Sequence, residues 1–413
     1  MNEKLKRIII ISLFVLFVIG AVYLLYYFFF KQPTTALPAF NQNQNGAIGQ
    51  LPSTGMGNVN RVGNINANAG LPTVNQIPEG TVVSATAQGG YTQVNRVTDG
   101  LITAPAIGAG GSVDYFNSAE GRFYRQNADG TVSQLTSQRF YNVSKVTWSP
   151  NAASAILEYP DGSNILYDFS KNKQYTLPKE MQSFAFSKAG GEIAAAAIGP
   201  RDENNWIVTS NPDGSNIQFV ERLGANAADV DINWSPNGQV VAMFRQNISA
   251  DNQEIIFIGR NEENFKSLIT NGRGFEGKWT AAGDKLLYSV YNSDDLKPKL
   301  WLTSASGDNI GLNNISLGLA TWSSKCVMSA DNTSAYCGVP QDLPFGSGLY
   351  PELAKDNPDL IYKINLTTAQ VSLLAQPVGD QNIYSVKQML LSPDEKTLYW
   401  QDAITGKMFD IKL

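Results

Sequence analysis

Residues 146–169 read VTWSPNAASAILEYPDGSNILYDF, with a Trp-Ser-Pro corner set between two apolar runs. Ser149 could be a nucleophile, or the corner could simply end a strand. What decides is whether it occurs once or returns, and it returns. Aligned on Ser149, the chain gives FAFSKAGGEIAAAA at Ser187, INWSPNGQVVAMF at Ser235, GKWTAAGDKLLYS at Thr280, CVMSADNTSAYC at Ser329 and MLLSPDEKTLYW at Ser392. A degenerate copy, APAIGAGGSVDYF, aligns at Ile107, and the intervals are 42, 38, 48, 45, 49 and 63 residues. Units of this length with four short apolar segments are the signature of propeller blades.

Each unit reads alike. Strand a ends in the corner, a tight polar turn leads to strand b, and strand c follows, as in NILYDF or GRFYRQ. A short turn such as NADG or NPDG then precedes strand d, as in TVSQLT or IQFVER; these are the expected hairpin residues. The last unit stops after GKMFDIKL without a strand d, while YTQVNRVTDG (91–100) looks like a strand d that precedes the first strand a. Joining the two closes the ring and leaves no open edge. The expected fold is therefore all-β: a seven-bladed propeller of four-stranded antiparallel blades over 91–413, or six-bladed if the degenerate first unit is not a blade.

The corners at Trp148-Ser149-Pro150 and Trp234-Ser235-Pro236-Asn237-Gly238, with the reduced SPDE at Ser392–Glu395, resemble the WD40-like propeller repeats of the TolB family. They are also similar to the propellers of the prolyl oligopeptidase and dipeptidyl peptidase families. The resemblance covers about 91–413 and implies a fold rather than a function. The α/β domain of TolB has no counterpart before the repeats, and no α/β-hydrolase domain accompanies them, so peptidase activity is not implied.

Composition narrows the function. The chain has no histidine, which removes Ser-His-Asp and Cys-His triads and any His-ligated metal. After residue 31 there are 27 basic against 35 acidic residues, a balance of −8, the wrong sign for a protein that tracks nucleic acid. No cofactor is expected.

Residues 1–7 form a basic tail (Lys4, Lys6, Arg7), and residues 8–30 run IIIISLFVLFVIGAVYLLYYFFF without a charge. That run is long enough to cross a bilayer core of roughly 30 Å and too long for a signal peptide's apolar region of about 7–15 residues. The expectation is an uncleaved, single-pass anchor with a cytoplasmic N-terminus and everything beyond residue 31 outside the cytoplasm, in the periplasm or at the cell surface. From 31 to 90 the sequence is rich in Asn, Gln, Gly, Pro and Thr, with Arg61 and Glu79 its only charges after Lys31. This composition reads as a disordered tether with a reach of roughly 40–45 Å.

Cys326 and Cys337 are the only cysteines. They flank the a–b turn SADNTS, where Ala330 opposite Thr333 makes paired positions sum to 663, the same sum as 326 and 337. Directly opposed cysteines across an antiparallel pair can have the short separation a disulfide needs, and outside the cytoplasm a structural disulfide is expected.

In a propeller the a–b and c–d turns emerge on one face and the b–c and d–a loops on the other. The first set reads as uniformly short. The second is long and varied: 199–205, 222–231, 245–253, 291–299 and the insertion QDLPFGSGLYPELAKDNPD at 341–359. Long loops of one face are where binding surfaces sit. The candidate binding residues are Arg201, Asp202, Glu203, Arg245, Asp294, Asp295, Lys297 and Lys299, with Phe345, Leu349, Tyr350 and Pro351 as apolar anchors. No catalytic residue and no metal ligand is assigned. The two PDGSNI copies, at 160–165 and 212–217, read as turns of different type rather than calcium loops.

The reading that follows is a non-enzymatic interaction or scaffold module of the cell envelope, whose partner is a protein. A wall-polysaccharide-binding module is one alternative. The other is a carboxylate- or metal-dependent hydrolase or lyase with its site at the tunnel mouth.

Overall fold

The computed structural model describes Gly80 and residues 82–413, together with Leu16, Val18 and Gly20, which are helical. The expected span at 8–30 and nearly all of the tether lie outside the described residues. Among the described residues no helix is long and apolar enough to cross a membrane.

Seven sheets form the propeller. In blade one the strands are Thr103–Ile107, Val113–Asn117, Arg122–Gln126 and Val132–Gln134, each antiparallel to the next. Blades two to five repeat the a-b-c-d order over 145–177, 181–222, 230–270 and 273–316, and blade six over 326–378. Blade seven supplies Val386–Leu391, Thr397–Asp402 and Met408–Lys412. The degenerate first unit is a true blade, so the count is seven and not six.

Closure is more elaborate than one strand completing the last blade. Asn95–Arg96 pairs antiparallel with Phe409–Asp410, as expected of strand d in blade seven. Just before it, Tyr91–Gln93 runs parallel to Gln376–Val378 and adds a fifth strand to blade six. The segment expected to be one strand therefore straps two blades together. Ser84, Thr86, Ala87 and Gly89, within the stretch expected to be linker, also bond to the strap or to these two blades. One expectation fails: the c–d connections of blades four (260–267) and five (305–314) are long, and the latter contains a short 3-10 turn at Gly307–Asn309.

Each sheet is covered on both faces by its neighbours, so strand b is apolar at successive positions. Ile156 packs with blade three while Leu157 packs with blade one, and both are fully buried. Burying such a side chain stabilises the fold by about 1.5–3 kcal/mol.

The corner that opened the sequence has a single repeated job. At Ser149, Ser235, Ser329 and Ser392 the hydroxyl donates to an Asn or Asp two residues on and accepts the N–H five residues on. Thr280 donates instead to Asp284, four residues on, and accepts the Lys285 N–H five residues on, and Ser187 accepts the Glu192 N–H. The hydroxyl replaces ladder partners where strand a ends, which is the local side-chain capping that such residues favour. Trp148 beside it donates its indole N–H to Ala104 O of blade one and packs edge-on against Phe123. Ser149 is thus a turn residue and not a nucleophile.

Cys326 and Cys337 form the expected disulfide, in the expected register, with Val146 opposite Leu157 at the same place in blade two.

Candidate binding face

Strand a of each blade lines the central channel, and the d–a connections enter it from the long-loop face. The innermost strands are tied to one another by side chains. Asn233 donates to Gly277 O, Lys278 to Cys326 O, and Gln388 to Pro105 O. Burial in this confined ring brings the Lys278 ammonium down to about 8, because the charged form loses hydration it cannot recover from one carbonyl.

The blade-six insertion is the largest element of the long-loop face, and it is docked rather than dangling. Gly346 N–H donates to Asp295 O at 3.4 Å and Gly348 N–H to Leu296 O at 2.7 Å, so the insertion lies on the b–c loop of blade five. The approach at Gly348 is so close that a Cβ there would sit 2.6 Å from Tyr291 Cβ. Lys297 and Asp342 add an ion pair at 4.0 Å across the same junction. The insertion then makes one helical turn, Pro351–Ala354, whose Ala354 is buried with Leu343 and Trp322. Other apolar side chains of the insertion face solvent: Phe345 is 67% exposed, Tyr350 64%, Leu353 49% and Leu349 41%.

Beside these side chains, at the channel mouth, lies a hollow of about 370 Å³. Its walls converge from three blades: Glu276 of blade five, Trp322 and Lys325 at the entry to blade six, and Ser385 and Lys387 at the entry to blade seven. Pro351 and Lys355 close it from the insertion. Lys325 is buried in one wall, where both carboxylate oxygens of Asp359 accept from its ammonium at 3.0 and 2.8 Å. Burial pushes the Asp359 carboxyl up and the Lys325 charge pulls it back, with Asp402 nearby opposing ionisation. The pair holds the wall in shape: Asp359 also accepts the Val386 N–H, and Asp402 accepts from Ser385 N–H and Thr405. The Ser385 hydroxyl, fully buried at this wall, has no hydrogen-bond partner among the described residues. Glu276 is anchored from blade six, accepting the Ser324 N–H at 2.6 Å.

The sequence candidates fall into two groups. Asp294, Asp295, Lys297, Lys299, Phe345, Leu349, Tyr350 and Pro351 are brought together over blades five and six. Within that group Asn292 holds Asp294, and Asp295 pairs with Lys299 at 3.6 Å. Blade four joins it through Asp251, which accepts from Ser293 N–H and hydroxyl; these bonds hold the Asp251 carboxyl below its usual range. The second group sits over blades three and four. Arg201 pairs with Glu203 at 3.0 Å, Asp202 starts the 3-10 turn Asp202–Asn204, and Arg245 donates to Ala228 O at 3.3 Å. Glu276, Trp322, Lys325, Ser385, Lys387 and Leu353 were not singled out by sequence. Except for Leu353, which lies outside the hollow on the insertion's turn, they come from three stretches of the chain (276, 322–325 and 385–387) that meet because blades five, six and seven share a mouth. Among the described residues no group of three or more His, Cys, Asp or Glu is placed to hold a metal.

No family model matches the chain, and no curated protein is similar to it in sequence. Solved structures share its fold. A chain of the mitotic checkpoint complex aligns with a TM-score of 0.51 at 14% identity, covering 81% of this chain and 96% of that one. Oligogalacturonate lyase in complex with manganese aligns at 0.48 and 11% identity, covering 78% and 93%. TolB from Acinetobacter baumannii aligns at 0.38 and 12%, covering 76% and 78%. The fold is thereby set: the chain is a seven-bladed propeller of four-stranded antiparallel blades. At these identities the likeness is one of fold, and a shared fold does not carry a shared function.

Proposed function

We propose that the chain is a membrane-anchored, extracytoplasmic propeller that holds a protein partner on its long-loop face and catalyses no reaction. One observation carries this reading: a rigidly docked insertion presents Phe345, Leu349, Tyr350 and Leu353 to solvent beside a hollow at the channel mouth. Aromatic and aliphatic side chains on a fixed support, next to a concavity and ringed by charges, are the anatomy of an interaction hot spot. Residues 8–30 supply the anchor and the polar stretch that precedes Ser84 the reach away from the bilayer.

The test is crosslinking from the propeller in intact cells, comparing the native chain with Phe345→Ser/Tyr350→Ser. Loss of a protein adduct, with an unchanged melting temperature, supports the reading. An unchanged adduct in the variant rejects this face.

A further inference from the structure

A second surface lies on the outer flank between blades three and four, running from the d–a connection of blade three to the c–d connection of blade four. Strand d of blade four is only Leu268–Thr270 and covers strand c only along Gln253–Ile255. Beyond that, Ile256–Gly259 meets one isolated bridge, Ile258 to Asn264, because the c–d connection swings outward at 260–267. The outer half of this strand is therefore a sheet edge, the feature that invites pairing with another extended chain. The missing strand also leaves the two blades apart, and the gap is a cleft of about 570 Å³. Its walls are apolar: Val220 and Leu223 from blade three, Val230, Phe244, Ile256 and Ile258 from blade four. All are only partly exposed except Leu223, which is buried.

The rim is acidic. Glu221 and Glu262 are exposed and make no ion pair among the described residues. Glu263 is turned to the Asn261 N–H, the nearby Arg260 is paired with Glu192, and among the residues lining the cleft the one cation, Arg222, donates its Nε–H to Glu203 O. The cleft thus offers an edge strand, apolar walls and uncompensated negative charge together.

The geometry points to a docking site for an extended segment of a partner protein, apolar at alternate positions and flanked by lysine or arginine. Alternate side chains of an added strand would enter the cleft while their neighbours face solvent, and basic flanks complement the rim. The chain's own residues 32–79 are the rival occupant, but they carry a single basic residue, Arg61.

The probe is a fluorescent peptide, KKVTVTVKK, titrated against the full chain in nanodiscs. Its controls are EEVTVTVEE and a version with proline at the central valine. The expected result is saturable binding of the lysine-flanked peptide at micromolar concentration, at least tenfold weaker for both controls. Val220→Lys should weaken binding at least tenfold. Glu221→Lys/Glu262→Lys, which changes only exposed side chains, should reverse the preference toward the glutamate-flanked peptide. Equal binding of all three peptides, or no response to the charge reversal, overturns the proposal. So does binding that appears only after residues 55–70 are replaced by glycine and serine, since the cleft would then be filled by the chain itself.

Discussion

On the a–b side of the propeller six corners repeat one arrangement of hydroxyl and following N–H, whereas on the opposite side no two connections are alike. The hexapeptide PDGSNI shows how much the side matters, because it occurs on both. At 160–165 it is the b–c turn of blade two, and Asn164 is buried, donating to Met181 O at 2.6 Å and so tying the turn to the start of blade three. At 212–217 it is the c–d turn of blade three, where Asn216 is exposed with φ of 55°. In both copies the aspartate accepts the N–H of the serine two residues on. The local turn is dictated by the six residues, and what the turn touches is dictated by its place in the ring. Repetition therefore marks architecture, and the departures from repetition are where the proposal places a partner.

That contrast can be broken in several places. Removing the disulfide with Cys326→Ser/Cys337→Ser should cost about 3 kcal/mol, the scale for a loop of this size, read by denaturant unfolding with and without reductant. Reduction should cost the native chain as much and the variant nothing. Lys278 gives a pH signature. Its folded-state value of about 8 lies below the ordinary lysine value of 10.5, so the folded state holds fewer protons between the two. Stability should therefore rise as pH goes from 8 to 10.5, by up to about 3 kcal/mol. Lys278→Met should flatten that rise. The paired hexapeptides give the sharpest internal control: Asn164→Ala should cost about 1–3 kcal/mol by leaving buried carbonyls unmet, and Asn216→Ala less than about 1. Equal costs would mean that the surroundings of the turn do not matter. Ser235→Ala removes the acceptor of the buried Val240 N–H and should cost about 1–2 kcal/mol. Smallest of all, Phe345→Ser/Tyr350→Ser should leave stability within about 0.5 kcal/mol.

The blade count, the strand order and the disulfide register were legible because each rests on local pattern: a corner every forty-odd residues, and a turn whose pairing sum can be read from two positions. The exposure of Phe345 and Tyr350 was legible for the same reason, since both stand out in a long polar loop. The hollow was not. Glu276, Trp322 and Lys387 are separated by more than forty residues each, and nothing in their own surroundings announces that three strand entries meet. The strap over 91–96 was half legible: the missing last strand demanded it, but a two-residue share for blade seven and a parallel share for blade six follow only from the packing of the closed ring. The cleft between blades three and four was hidden by a false uniformity, because the long c–d connection of blade four was read as another short turn.

The central claim is that the long-loop face holds a protein. Crosslinking in intact cells, run side by side on the native chain, Phe345→Ser/Tyr350→Ser and Ser235→Ala, tests it most directly. The account predicts that the face variant loses its protein adduct at full stability, while the corner variant keeps the adduct at reduced stability. The reverse pattern, or an adduct indifferent to both, would contradict it.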